Sequence, residues 1–329
     1  MINYKALEIS EASKGSFEGK VTSKTIDSLK QGHLLIKVEY SSLNYKDCLS
    51  ISGNKGVTRN YPHIPGIDLA GEIIKSNSER FKIGDKVIAT GYDLGMNHAG
   101  GFAEYVEVPE EWVVSLPDNL TTKQSMMFGT AGFTAMSGFL ALKKHLSDLS
   151  TKKILVTGST GGVGTISCLL LQESGCQIIA STRNTGSKYV SNLGIKNIIN
   201  SNILSKPQQK PLLDKLYDGV IDNVGGIILE NIIKSVSYHG MIISCGNVCG
   251  IEFSSTVFPF ILRGITLKGI SSANTLMKER EIIWKEISKF QNWDKLSKIT
   301  EEITIGQIIE KSKLMLNGKH QGRFLIKFL

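Results

Sequence analysis

Between Ile154 and Gly164 the chain reads I-L-V-T-G-S-T-G-G-V-G, an apolar run followed by glycines at positions 158, 161 and 164. The run from Ile154 to Val156 predicts a buried parallel strand. The glycines end it sharply, and Thr165 to Glu173 resumes an apolar spacing that predicts a helix. No other stretch limits the fold as tightly. A strand that turns on glycine into a helix leaves backbone N–H groups and the positive helix end uncovered by any Cβ, which suits a pyrophosphate. Gly158, Thr160, Gly161, Gly162 and Val163 are the candidate contacts, and a dinucleotide is the expected ligand.

Three glycines alone would also serve a tight turn with no ligand, so the context has to carry the reading. Gln177–Ser181, Asn197–Asn200, Gly219–Asp222 and Met241–Ser244 read as further strands, with Lys188–Leu193 as part of a helix between the first two. This alternation predicts a doubly wound α/β domain. At the end of its second strand, where an acidic residue would hold the ribose 2′-OH of NAD roughly 20 residues beyond the glycines, the chain has Ser181-Thr182-Arg183. Without a carboxylate to repel a 2′-phosphate, two hydroxyls and a guanidinium favour NADP over NAD. The plainer alternative is that Arg183 opens a solvated loop. In such a sheet the ligand lies beyond the carboxyl ends of the strands, which brings in Asn223-Val224-Gly225-Gly226 and Cys245-Gly246-Asn247.

A chain of 329 residues has room for a second domain. Its net charge of +8 is spread without a basic block, and no basic stripe interleaved with aromatics appears, so neither nucleic acid nor membrane is an expected partner. Five cysteines, at 48, 168, 176, 245 and 249, form no C-x-x-C pair and argue against a disulfide framework. The first residues show no apolar leader, and no uninterrupted apolar run approaches membrane-spanning length. The expected location is the cytoplasm.

Ahead of the glycine loop, Tyr4–Glu8 and Leu34–Tyr40 alternate as half-buried strands, with Gln31-Gly32 as a turn between them. Ser41-Ser42-Leu43-Asn44-Tyr45-Lys46-Asp47 follows, in which Asp47 could cap a short helix. Short segments punctuated by Gly and Pro then suggest a compact β-barrel-like domain. They are P-G-I-D-L-A-G at 65–71, F-K-I-G-D-K-V at 81–87 and G-G-F-A-E-Y at 100–105.

The order of these motifs ahead of the late glycine loop resembles the medium-chain dehydrogenase/reductase superfamily over essentially the whole chain. S-S-L-N-Y-K-D, G-T-A-G-F-T-A-M at 129–136 and P-F-I-L-R-G at 259–264 narrow the likeness to its quinone oxidoreductase-like enzymes and the acrylyl-CoA reductase branch. The resemblance implies a GroES-like β-barrel domain at 1–124 and 265–329, a Rossmann NADP-binding domain at 125–264, and a homodimer built through the latter. It implies a last strand at Arg323–Leu329 as well. Thr130, Ser271-Ser272 and Arg323 join the expected cofactor contacts by position, and Tyr189 either packs beneath the adenosine or faces the sheet.

Zinc members of that superfamily carry Gly-His-Glu where this chain has Gly66-Ile67-Asp68, and an isoleucine cannot ligate. Their cysteine-rich loop is also missing, since 91–100 holds no cysteine. No metal is therefore expected. Without that Lewis acid, a conjugated carbonyl remains a suitable hydride acceptor at its β-carbon. Tyr45 is the expected residue at the reacting centre. Its phenol could donate to the developing enolate oxygen, help protonate carbon, or hold the nicotinamide amide; Asn44 and Lys46 are further candidates for the same oxygen. The alternative for Tyr45 is a half-buried ring that caps a turn. Lys55, Arg59, Arg263 and Lys268 could meet the phosphates of an acyl-CoA or form a solvated face. Three functions follow: reduction of a short α,β-unsaturated acyl-CoA, reduction of a quinone or enone, or an NADPH-binding module without turnover.

Overall fold

The computed structural model describes residues 1–328. Alternating residues at the N-terminus form β1 (Ile2–Ser13), which pairs antiparallel with β2 (Ser16–Ile26) around Lys14-Gly15, with Gly15 at φ +79°. The sequence does not announce β2, because its positions alternate between exposed and half-buried with almost no apolar stripe. β3 (His33–Leu43) follows the Gln31-Gly32 turn, and then come α1 (Tyr45–Ile51), β4 (Asp68–Ser76), β5 (Lys86–Thr90), β6 (Tyr105–Pro109) and β7 (Val113–Ser115). Next is α2 (Thr122–Leu146), 25 residues long and broken in its geometry only at Gly129, where φ is +52° and ψ −156°. By length and composition α2 could cross a membrane, but 78% of its apolar window is buried within the protein. Glycines, serines and threonines interrupt its apolar residues, which is why no such run is visible in the sequence.

The alternating half of the chain contains β8 (Lys153–Val156), α3 (Gly162–Glu173), β9 (Gln177–Thr182), α4 (Lys188–Asn192), β10 (Asn197–Asn200) and β11 (Tyr217–Asp222). It continues through α5 (Gly226–Ile233), β12 (Val236–Ser244), α6 (Phe258–Arg263) and β13 (Thr266–Gly269). The chain then forms α7 (Met277–Ile287), α8 (Trp293–Lys298), β14 (Thr300–Ile303), α9 (Ile308–Leu316) and β15 (Arg323–Lys327). Leu329, expected to end the last strand, lies outside the described residues.

Two compact units result. The first takes Met1–Phe133, Ser272–Lys289 and Trp293–Leu329; the second takes Thr134–Ser271 and Phe290–Asn292. In the first, a seven-stranded sheet has the order β14-β15-β3-β4-β5-β7, with β6 pairing β3. β3 and β4 change register at Leu35/Ile36 and Val38/Tyr40, and such bulges sharpen the twist that curls a sheet. Its inner face buries Leu34, Ile36, Val38, Leu69, Ile73 and Val87.

In the second unit six parallel strands run β10-β9-β8-β11-β12-β13, the doubly wound order in which the third, second and first strands precede the fourth, fifth and sixth. The two compact units divide at other points than the expected domains. The first division falls at 133/134, past the Gly129 kink within α2, where 124/125 was expected. The return at 265 moves to 272, because Thr266–Gly269 pairs in parallel with β12 as the sixth strand.

Candidate active site

In the second unit the predicted glycine loop joins β8 to α3. Gly158 adopts φ +56°, and a Cβ on Gly164 would stand 2.3 Å from the Gly158 carbonyl oxygen, so the helix can seat against the loop only with glycine there. Gly161 is the N-cap of α3, and Thr160–Val163 are half-buried, open at the surface. The N–H groups of the first helical turn have no carbonyl partner within the helix. They face outward with the positive end of a 12-residue helix behind them. Thr165 accounts for the turn's rigidity: its Oγ1 donates to Ser159 O at 3.1 Å and lies 3.1 Å from the Tyr189 hydroxyl, which places Tyr189 on this helix.

The carboxyl ends of β8 and β11 are tied through Asp222. Its Oδ1 accepts from Thr157 Oγ1 at 2.7 Å and its Oδ2 from Gly225 N at 2.9 Å, while burial raises its pKa. Asn223 donates from Nδ2 to Thr157 O at 2.7 Å, and the Cys245 thiol donates to Asn223 Oδ1 at 3.2 Å. Burial pushes that thiol up to about 12, so Cys245 acts here as a donor that holds Asn223, not as a thiolate. Gly246 is required by close approach, since a Cβ would meet Asn223 O at 2.1 Å; Asn247 stands exposed in the following turn.

At the end of β9, Ser181 and Thr182 are buried, and Arg183 is the exposed member of the three. The Ser181 Oγ has no hydrogen-bond partner among the described residues. The Arg183 charge also acts on the thiol of Cys249, opposing the rise in its pKa that burial and Asp222 cause. An open helix start, a loop that excludes Cβ atoms and an exposed guanidinium at the end of the second strand together fit a phosphorylated dinucleotide.

The first unit gathers a buried polar network around Asp68, the first residue of β4. Its Oδ2 accepts from Ser42 Oγ at 2.6 Å, Asn44 Nδ2 at 2.7 Å and Thr130 N at 2.8 Å; its Oδ1 accepts from Thr130 Oγ1 at 2.5 Å. Gly129 makes the last pair possible. Its left-handed backbone turns the Thr130 N–H out of the helix ladder, and a Cβ there would fall 2.3 Å from Ser42 Oγ and 2.4 Å from Asp68 Oδ2. Arg323, only 2% exposed, donates from Nη1 to Asn44 Oδ1 at 3.1 Å and from Nε to Met127 O at 3.1 Å. Asn44, Thr130 and Arg323, named separately from the sequence, therefore meet around one carboxylate.

Asp47 was expected to cap a short helix, and it does so as one half of a capping box at the start of α1. Asn44 is the N-cap, while Asp47, the third helical residue, reaches back to accept Asn44 N at 2.8 Å and also takes Ile67 N at 2.8 Å. Burial and the nearby Asp68 carboxylate push Asp47 up to about 7, against the lowering effect of those N–H donors. Tyr45 begins the same helix and is 39% exposed, and Lys46 is half-buried. Sequence reasoning missed Ser42 and Asp68 as site residues. The G-I-D triplet was the available signal, but it was read only for the ligand that Ile67 cannot be.

Other named residues have different work. Arg263 is buried and donates to the carbonyls of Lys234, Val236 and Leu213, so it does not belong to a phosphate-binding face. Lys55 pairs with Glu11 at 3.3 Å and lies 4.6 Å over the Tyr61 ring. Ser272 is half-buried and offers its carbonyl to Arg280 Nη2 at 3.0 Å. Cys48 is fully buried with its sulfur 3.5 Å from Met315 Sδ, and burial and Asp47 raise its thiol pKa. Among the described residues no group of three or more His, Cys, Asp or Glu converges as a metal-binding set.

Two family models match the chain: an alcohol dehydrogenase GroES-like domain over 30–118 and a zinc-binding dehydrogenase over 162–289. The chain is 38% identical to a Bacillus subtilis protein named "Putative quinone oxidoreductase YhfP", covering 96% of this chain and 97% of that one. It is 35% identical to acrylyl-CoA reductase AcuI of Ruegeria pomeroyi, covering 95% of each. Among solved structures, B. subtilis yhfP with NAD bound superposes with a TM-score of 0.95 at 36% identity, covering 100% of both chains. E. coli K-12 YhdH with bound NADPH gives 0.92 at 34%, covering 98% of this chain and 100% of that one.

Proposed function

The chain belongs to the zinc-independent medium-chain dehydrogenase/reductase superfamily, and from that premise we propose that it is an NADPH-dependent reductase of an activated C=C bond, acting on a short α,β-unsaturated acyl-CoA. The observation that carries this reading is the full-length similarity to an acrylyl-CoA reductase. Bound NADPH supplies a hydride to the β-carbon of such a substrate. The Gly158–Val163 turn and the start of α3 hold its diphosphate through backbone N–H groups, and the Arg183 guanidinium takes the 2′-phosphate.

Hydride addition at the β-carbon would push the electron pair of the C=C bond toward the acyl oxygen, and the α-carbon would then take a proton from water. The exposed phenol of Tyr45 is the group proposed to meet that oxygen as charge develops, donating its O–H there. A second reading, reduction of a quinone or enone, is favoured by the 38% identity to YhfP. It uses the same donor and the same phenol. Comparing kcat/KM for acryloyl-CoA with a panel of quinones at equal NADPH separates the two; higher values for every quinone overturn the acyl-CoA reading.

The proposal extends to a cytoplasmic homodimer. α6 and the segment before it expose Val257, Phe258, Ile261 and Leu262, at 64%, 44%, 68% and 54%. An apolar cluster of this kind is what a second copy would cover.

A further inference from the structure

Two fully buried carboxylates of the first unit, Asp47 and Asp68, meet the same residue. Asn44 gives its backbone N–H to Asp47 Oδ2 at 2.8 Å and its side-chain amide to Asp68 Oδ2 at 2.7 Å. Their surroundings differ. Asp68 also takes Ser42 Oγ, Thr130 N and Thr130 Oγ1, at 2.6, 2.8 and 2.5 Å, while Asp47 takes Ile67 N at 2.8 Å. The cations lie on the Asp68 side: Arg323 donates to Asn44 Oδ1 at 3.1 Å, and Arg280 of α7 acts electrostatically on Asp68. Two negative charges together in a low-dielectric interior are costly, and the carboxylate with the poorer set of donors is the one that takes up a proton. Burial and Asp68 accordingly hold Asp47 at about 7.

The other ionisable groups near α1 are engaged or exposed. On α1 itself Lys46 is half-buried, and burial and Asp47 raise the Cys48 thiol so that it stays protonated. Of the elements packed on α1, β2 has Lys24 paired with Glu8 and α9 has Lys311 paired with Glu301, while Glu18, Lys20, Glu310 and Lys313 are exposed.

We propose that Asp47 is a positioning residue whose charge sets the rate of the reduction: protonated, it anchors the start of α1 as a neutral group, and ionised, it opposes the negative charge that Tyr45 meets on the acyl oxygen. This rests on the reading of Tyr45 given above. Residues 45 and 47 belong to the first turn of α1, about 3 Å apart along its axis. Allowing for the length of the phenol, the carboxylate and the developing oxyanion are on the order of 10 Å apart, where a like charge at an effective dielectric of about 20 is worth about tenfold in rate. The acid form is therefore the faster.

The readout is the single-turnover rate of NADPH oxidation between about pH 5.5 and about pH 8.5, with acryloyl-CoA and with methyl vinyl ketone, an enone free of the CoA phosphates that titrate in the same range. The native chain is expected to slow about tenfold on both substrates as pH rises through about 7. Asp47→Asn should remove this step whatever its absolute rate, because the amide is uncharged throughout. Loss of a hydrogen bond in the capping box would not imitate that result. Asp68→Asn, with the neighbouring charge gone, should move the step to lower pH by about one unit.

A step that persists in Asp47→Asn overturns the assignment, as does a native rate that is flat or rises through the window. Should Asp47→Asn fail to fold, Asp68→Asn decides, and a step left at its native pH overturns the assignment. A step on the enone without turnover of acryloyl-CoA overturns the acyl-CoA reading and supports this one. No turnover of any activated alkene overturns both.

Discussion

Burial together with the Asp68 carboxylate pushes Asp47 up to about 7. The folded chain keeps a proton there that the unfolded chain releases near pH ~4. Between about pH 4 and 7 the folded state therefore binds more protons, and stability falls as pH rises. The contribution is complete below that window and gone above it. Asp47→Asn is expected to remove a slope of at most about 1.4 kcal/mol per pH unit, seen in urea denaturation across the window; identical slopes in the two proteins refute this. Tyr45→Phe is expected to lower kcat by on the order of tenfold or more if the phenol assists the acyl oxygen, measured at saturating substrate, and unchanged kcat removes the hydroxyl from the mechanism. Arg183→Asp should weaken NADPH by on the order of tenfold or more while sparing NADH, measured as the ratio of dissociation constants; an equal loss for both rejects Arg183 as the phosphate ligand. At this scale Tyr45 and Arg183 could be proposed from the sequence because each sits in a local motif with a chemical meaning. Asp68 could not, because Ser42, Asn44 and Thr130 converge on it, with Arg323 behind Asn44, from positions that no local window spans.

The kink in α2 shows how an element can serve chemistry through backbone geometry. Gly129→Ala places a methyl group against Ser42 Oγ and Asp68 Oδ2 in a backbone region that L-residues avoid. The expected loss is at least about 2 kcal/mol, from strain and displacement of the network. Chemical denaturation measures it, and a loss below about half that value shows that the helix can straighten without cost. The β8–α3 unit was readable from sequence because its glycines and its change of period occur in one continuous stretch. β13 was not, since Thr266-Leu267-Lys268-Gly269 is short and mostly polar, and only its parallel pairing with β12 makes it a strand. α2 escaped notice for the reverse reason: its Gly-Thr-Ala-Gly run looks like a helix breaker, yet only Gly129 departs from helical geometry.

For the whole molecule, the doubly wound sheet follows from the alternation of apolar runs and helical spacings, and the six-strand order follows once β13 is added. The division into units was less legible, because both the expected boundary and the observed division fall within α2, where no linker marks either. Association is the property most open to test at this scale. Replacing Ile261 and Leu262 together with aspartate is expected to yield monomers by sedimentation velocity with coenzyme binding retained; an unchanged sedimentation coefficient places the interface elsewhere. The contact between Cys48 and Met315 bears on what a metal site in this chain would require. Installing histidine at position 67 would restore one residue of the zinc enzymes' triplet, but the Cys48 sulfur would stay protonated and packed against the Met315 thioether inside the core. A metal centre built on this cysteine would thus take more than a single substitution: the packing of α1 against α9 would have to be rebuilt before the sulfur could coordinate an ion.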